Sequence, residues 1–213
     1  MSDDLNEKLN LNRILALSDG VFSIVITLLI FEVRLPSSVD TNIRIGDMEL
    51  VQNIIQITPK LFSYIATFIL IGIYWTGHHG IFKHIVKHNR GLIWLNNFFL
   101  MCVCFMPFPT YILGNYYYLQ TAVILYGSCL ILTGSSLYLL WSYATTNRRL
   151  VESKLPDSII TIGKQRIMMA PLVGLFSILI SFYSPQLSLW FYVAGLILYL
   201  MPSRIDKAEI PIS

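Results

Sequence analysis

Residues 13–33 read RILALSDGVFSIVITLLIFEV: a basic residue, a Ser-Asp-Gly triplet at positions 18–20 and a long apolar run. The run is typical of a helix that crosses a membrane. Asp19 would lie at the mouth of this span, where burial of a carboxylate costs about 2.5–3.5 kcal/mol. This cost predicts that other polar side chains hold Asp19 in place.

The whole chain has the composition of an integral membrane protein. Apolar residues make up 55% of its 213 residues and charged residues only 13%, a balance that a soluble domain of this size could not hide from water. Because a helical span needs about 20 mainly apolar residues, we predict an all-α, polytopic membrane protein with six transmembrane helices. The predicted spans lie near residues 14–33, 58–82, 93–113, 118–141, 165–183 and 187–202. Between the last two, Ser184-Pro185-Gln186 favours a tight hairpin over one bent segment.

Charge in the connections predicts the orientation, because Lys and Arg near span ends stay on the cytoplasmic side. The connections after spans two and four are basic, with Lys83, Lys87 and Arg90 in one and Arg148, Arg149, Lys154, Lys164 and Arg166 in the other. Residues 34–57 mix both signs and are expected outside. Both termini are then cytoplasmic, with residues 1–204 as a six-helix transmembrane domain and 205–213 as a short cytoplasmic tail. The first span is expected to stay in the mature protein, since it lacks the pattern of a signal peptide.

Ile24, Leu28 and Phe31 share one face of the first span, with Thr27 one position aside. If this face lines an axis, the narrow part of that axis is a stack of bulky apolar side chains. The alternative is that the face packs against neighbouring helices, as apolar stripes at this spacing usually do.

Polar residues of the second and third spans fall at the same predicted depth as Asp19. Trp75 and His78 are three residues apart and so share a helical face, and Asn96 lies near the start of the third span. Unsatisfied polar groups cost several kcal/mol in lipid, so a hydrogen-bonded cluster locking helix 1 to helices 2 and 3 is favoured. The alternative is that Arg13 and His78 snorkel into the headgroups.

The pattern of histidines and cysteines does not favour a metal enzyme. His84 and His88 are four residues apart on one predicted helical face, and His78 and His79 lie upstream. However, no acidic residue is expected nearby to act as a base, and Lys83 and Lys87 would repel a cation. The cysteines fall within predicted spans, where apolar packing is their expected role: Cys102, Cys104 and Cys129. We therefore expect no enzyme activity and no metal.

Several motifs of the first three spans occur together in a known family. Residues 13–20 contain Arg-x-x-x-Leu-Ser-Asp, residues 75–82 read WTGHHGIF, and the third span contains Trp94-Leu95-Asn96 followed by PFPT at 107–110. Together they resemble the transmembrane protein 175 potassium channel family, whose signature has phenylalanine where this chain has Leu17. Beyond the third span the resemblance is one of hydropathy only.

The resemblance implies a homotetramer in which helix 1 of each subunit lines a central pore, as in prokaryotic members with one set of six spans. It implies that Ile24 forms the main constriction, that Leu28 and Phe31 continue it outward, and that Thr27 offers hydroxyls to a partly dehydrated cation. The residues that would hold the pore helix in place are Arg13, Ser18, Asp19, Trp75, His78 and Asn96.

The implied function is that of a leak-type cation channel with modest potassium selectivity, in the cell membrane of a prokaryote. Potassium would be the permeant ion, and no cofactor is implied. The chain has no Thr-Val-Gly-Tyr-Gly loop that would supply a carbonyl filter, so an apolar ring that gates by dewetting is expected. A secondary transporter is the alternative, although Gly72, Pro107 and Pro171 interrupt the spans without matching halves. Nucleic-acid binding has no support beyond the loop charges, which topology explains.

Overall fold

The computed structural model describes residues 2–34 and 46–200. Within these ranges the chain is helical, and its β-structure is limited to one backbone bridge between Ile85 and Val151. The α-helices are α1 (Ser2–Leu28), α2 (Asp47–Gln56), α3 (Thr58–Phe82), α4 (Arg90–Phe105), α5 (Pro107–Asn115), α6 (Gln120–Thr145), α7 (Asp157–Ser181) and α8 (Pro185–Leu200). Short 3₁₀ helices follow α1 and α6, at Leu29–Glu32 and Thr146–Arg148. The predicted tail, 205–213, lies outside the described residues.

Helices that could cross a membrane make up most of the described chain. Five segments are long and apolar enough: Leu9–Glu32, Thr58–Phe82, Arg90–Asn115, Gln120–Arg148 and Asp157–Ser181. α8 is also apolar, and its described part, Pro185–Leu200, has 16 residues. At about 1.5 Å per residue this described part is shorter than the hydrocarbon core of about 30 Å. The fold is therefore all-α and multi-pass.

Several helix boundaries differ from those predicted. α1 begins at Ser2 rather than near residue 14, because residues 2–13 contain no glycine or proline that would interrupt the helix. α7 likewise begins at Asp157 rather than near 165. The third predicted span is divided into α4 and α5 at Met106, because Pro107 lacks the N–H that would continue the α4 hydrogen bonds.

α6 and α7 approach each other closely because glycine residues lie where the two helices meet. A Cβ atom at Gly174 would lie 2.8 Å from the carbonyl oxygen of Gly127, and one at Gly134 would lie 2.4 Å from the ring of Pro171. Small residues allow this approach, which supplies the van der Waals contact that holds membrane helices together. Trp141 of α6 is a large side chain that is also almost fully buried.

α7 and α8 form the expected hairpin. α7 ends at Ser181 and α8 begins at Pro185. α8 folds back so closely that a Cβ atom at Gly195 would lie 2.6 Å from the side chain of Val173. The Tyr192 hydroxyl also donates a hydrogen bond of 3.0 Å to the carbonyl of Val123 on α6. The two helices are therefore separate elements rather than one bent segment.

Candidate functional site

α1 turns one face toward the rest of the bundle. The buried residues of this face recur every three, four or seven positions: Leu11, Ser18, Phe22, Val25 and Leu29. Phe22 is the largest of them, and its ring centroid lies 6.0 Å from those of His78 on α3 and Phe99 on α4. This side of α1 thus supplies the packing within the subunit.

The opposite side of α1 is exposed and carries the predicted constriction residues Ile24 and Leu28, and Phe31 follows them in the 3₁₀ helix Leu29–Glu32. Ile24 is 59% exposed, Leu28 46% and Phe31 58%, and Leu17 continues the same row toward the amino-terminal end at 55%. The alternative that this stripe packs within the bundle is therefore wrong for a single subunit. The face is left for lipid or for other subunits.

Two hydroxyl side chains lie beside this exposed row. Thr27 donates to the carbonyl oxygens of Ser23 at 2.9 Å and Ile24 at 2.8 Å, and Ser23 donates to that of Asp19 at 2.6 Å. Because each hydroxyl proton is directed at the backbone, the oxygen lone pairs remain available as acceptors. Sequence reasoning selected Thr27 but missed Ser23, although the four-residue spacing of Asp19, Ser23 and Thr27 places them on adjoining turns.

A buried chain of hydrogen bonds joins α1 to α4 and α3. Asn96 donates from Nδ2 to the Ser18 hydroxyl at 3.1 Å, and its Oδ1 lies 2.7 Å from Nε2 of His78. All three side chains are at most 1% exposed. This geometry requires Nε2 of His78 to donate, and the imidazole stacks on Phe99 at 5.5 Å. Snorkelling of His78 into the headgroups, the alternative considered from the sequence, is therefore wrong.

Asp19 has a different partner on α3. Its Oδ1 accepts a hydrogen bond of 2.8 Å from Nε1 of Trp75, and the Trp75 ring stacks on His79 at 6.0 Å. Arg13 is exposed, and no hydrogen bond or ion pair joins it to the residues that the structure describes. Five of the six predicted anchor residues thus form two contacts, Ser18–Asn96–His78 and Asp19–Trp75, and Arg13 stands apart.

Replacing Asn96 with leucine is expected to destabilise the protein by about 1–3 kcal/mol, because Nε2 of buried His78 then has no acceptor. The effect is measurable as a lower melting temperature in detergent. Asn97→Leu is the matched control, because Asn97 is the next residue of α4 and its side chain is exposed. Equal melting temperatures for the two variants would refute an anchoring role for Asn96.

The histidines after α3 differ from the sequence expectation. His84 and His88 follow the end of α3 at Phe82 and do not share a helical face. The expectation that no acidic residue lies nearby is also wrong, since the Glu7 carboxylate of α1 contacts Nδ1 of His88 and accepts a 3.2 Å hydrogen bond from its backbone N–H. No group of three potential metal ligands occurs in the described part of the chain.

The Glu7 contact predicts a pH dependence at the amino-terminal end of α1. Hydrogen bonds from the His88 side chain and backbone lower the pKa of the Glu7 carboxyl below its ordinary value of 4.5, and Lys87 adds a smaller effect. Because the pKa is lowered on folding, the contact is retained above about pH 4.5 and lost as the pH falls through the folded-state pKa. Glu7→Gln is expected to raise amide hydrogen exchange in the first turns of α1 at pH 7. Glu152→Gln, in another connection, is expected to leave it unchanged, and equal exchange in all three proteins would contradict the prediction.

Comparison with known proteins agrees with this arrangement. A family profile described as "Endosomal/lysosomal potassium channel TMEM175" matches residues 13–107, which include both contacts of α1. A potassium channel of Chryseobacterium sp. (strain P1-3) is 29% identical over 92% of this chain and 96% of its own length. A potassium channel of Chamaesiphon minutus is 29% identical over 85% of this chain and 89% of its own length.

The fold also matches a solved structure. The crystal structure of a lysosomal potassium-selective channel TMEM175 homologue from Chamaesiphon minutus superimposes with a TM-score of 0.76 at 25% identity, covering 94% of this chain and 99% of that chain. Fold and site therefore define a multi-pass α-helical membrane protein with the fold of this homologue. Residues 13–107 thus resemble the TMEM175 family, and the bacterial relatives of this chain are named as potassium channels.

Proposed function

We propose that the protein is a leak-type potassium channel of modest selectivity, in which α1 of four identical subunits surrounds a central pore. The observation that carries this proposal is the exposed row of Ile24, Leu28 and Phe31, on a helix whose opposite face is buried and hydrogen-bonded to α3 and α4. Such a helix is held rigidly while offering an apolar surface to an axis. The names of the bacterial relatives support conduction of potassium.

The proposed constriction controls ion flow through whether water fills it. A ring of isoleucine side chains has no group that coordinates a cation, so it blocks flow by dewetting when narrow and passes ions when it widens. Potassium releases hydration water more readily than sodium, so partial dehydration at this ring favours potassium modestly. The hydroxyl oxygens of Thr27, and of Ser23 one turn below, would replace part of the lost water.

The proposed topology has six crossings with both termini in the cytoplasm of a prokaryotic cell. The five long spans and α8 supply these crossings. The basic connection that contains Lys83 and the one that contains Arg148 lie on the cytoplasmic side under this arrangement.

Reconstitution into liposomes tests the function directly. We expect potassium flux above that of protein-free liposomes, a smaller sodium flux, and discrete single-channel steps in planar bilayers. A secondary transporter, which the relatives do not favour, would instead give saturable coupled uptake without steps. Absence of potassium flux together with such uptake would overturn the channel assignment.

Cross-linking tests the position of α1 separately. In a background with the native cysteines replaced by alanine, Ile24→Cys is expected to form disulfide-linked dimers on mild oxidation, since four copies meet at the axis. Leu132→Cys is the control, because Leu132 is 54% exposed on α6, away from α1. Cross-linking at position 132 but not at position 24 would show that α1 does not lie at the axis of the oligomer.

A further inference from the structure

A groove with a volume of about 600 Å³ runs between α3 and α7. Trp141 of α6 lies among its lining residues, and Tyr199 of α8 is another. From Ile69 to Lys83 the α3 wall extends about 21 Å. The groove therefore has the length of a membrane leaflet rather than of a small polar ligand.

The two ends of the groove differ in chemistry. Ile69 and Ile73 line one end, and Lys83 and His84 line the other, at the close of α3. Arg166 of α7 also lines the groove, and its guanidinium lies 5.9 Å from the centre of the Tyr199 ring. None of the described lining residues is acidic. The surface thus combines an apolar wall with the positive charges of Lys83 and Arg166.

Two glycines of α3, Gly72 and Gly80, leave open space along the wall of the groove. A Cβ atom at Gly72 or at Gly80 would have no other atom within 4 Å, so close helix packing does not explain either glycine. Glycine within a helix costs about 1 kcal/mol relative to alanine. These positions instead deepen the groove along its length.

We propose that this groove binds an anionic glycerophospholipid, with its phosphate between Lys83, His84 and Arg166 and one acyl chain along Gly72 and Ile73. Basic pockets between membrane helices on the cytoplasmic side attract anionic headgroups, and the apolar wall supplies a surface that a free phosphate ion would not use. This inference concerns a surface apart from the pore face of α1.

Lipid retention measured by native mass spectrometry tests the proposal. The full-length protein in detergent is mixed with equal amounts of dioleoyl phosphatidylglycerol and dioleoyl phosphatidylcholine. We expect preferential retention of phosphatidylglycerol, reduced about fivefold to tenfold by Lys83→Gln combined with His84→Gln. Lys154→Gln, which removes a charge from an exposed connection outside the groove, is expected to leave retention unchanged.

A second variant separates shape from charge. Gly72→Leu places a side chain in open space and is expected to lower retention of both lipids without removing charge. Equal retention of the two lipids by the unaltered protein would overturn the proposal, as would unchanged retention in both groove variants. Retention of inorganic phosphate in place of the lipid, or groove closure by a second copy detected as a Lys83→Cys cross-link, would also overturn it.

Discussion

Ile24→Asn is expected to raise cation flux through reconstituted protein by at least about tenfold and to weaken the discrimination between potassium and sodium. In the proposed pore, the ring of four Ile24 side chains would exclude water, because isoleucine offers no hydrogen-bonding partner. If each of four amides recovers about 0.5–1.5 kcal/mol of water hydrogen bonding, the barrier falls by at least about 2 kcal/mol, or roughly thirtyfold in rate. Ile24 is 59% exposed, so the change leaves the packing of the subunit intact.

Leu132→Asn is the matched control for this experiment. It introduces the same amide at an exposed position of α6, away from α1, and flux is expected to stay at the level of the unaltered protein. Liposome flux assays with potassium or sodium gradients measure both quantities. If Ile24→Asn conducts at the unaltered rate and ratio, Ile24 does not form the constriction.

Gly174→Val is expected to cause the largest loss of stability. The added side chain would start 2.8 Å from the carbonyl oxygen of Gly127, and a backbone atom in the middle of a helix does not move aside as a flexible side chain does. Overpacking of this kind costs about 1–3 kcal/mol, and a β-branched residue is at the upper end. We expect a lower melting temperature in detergent and a smaller monodisperse fraction in size-exclusion chromatography.

Gly80→Ala separates crowding from the general effect of replacing a membrane glycine. A Cβ atom there has no neighbour within 4 Å, and alanine favours the helix, so stability is expected to be unchanged or slightly higher. Gly134→Ala, whose Cβ would lie 2.4 Å from the ring of Pro171, should resemble Gly174→Val. If Gly174→Val has the same melting temperature as Gly80→Ala, then α6 and α7 do not pack as described.

Much of the fold follows from hydropathy along the chain. The second predicted span has the bounds of α3, Thr58–Phe82, because its apolar residues begin and end with the helix. Prediction failed where a helix continues beyond its apolar part, as in α1 and α7. It also failed at Met106, where the loss of one backbone donor at Pro107 divides a segment whose hydropathy is continuous.

The candidate site was predicted less completely than the fold. Residue types and depth grouped Asn96 with His78, and the family resemblance added Ser18, but neither assigned a partner to each side chain. Arg13 was grouped with the cluster because of its position in the sequence, yet it lies on the exposed side of α1. Glu7 was overlooked as a neighbour of His88, because the two residues are distant in sequence and meet only when α1 packs beside the α3–α4 connection.

The sequence by itself determined that this is an all-α membrane protein whose first three spans resemble the TMEM175 family, because hydropathy and local motifs are properties of single segments. Only the tertiary structure decided which apolar face of α1 is buried. Both faces are apolar, so periodicity does not distinguish them; the choice depends on Phe22 fitting between His78 and Phe99 and on Asn96 lying within reach of Ser18. Such complementarity of shape and hydrogen bonding exists only between segments that folding brings together.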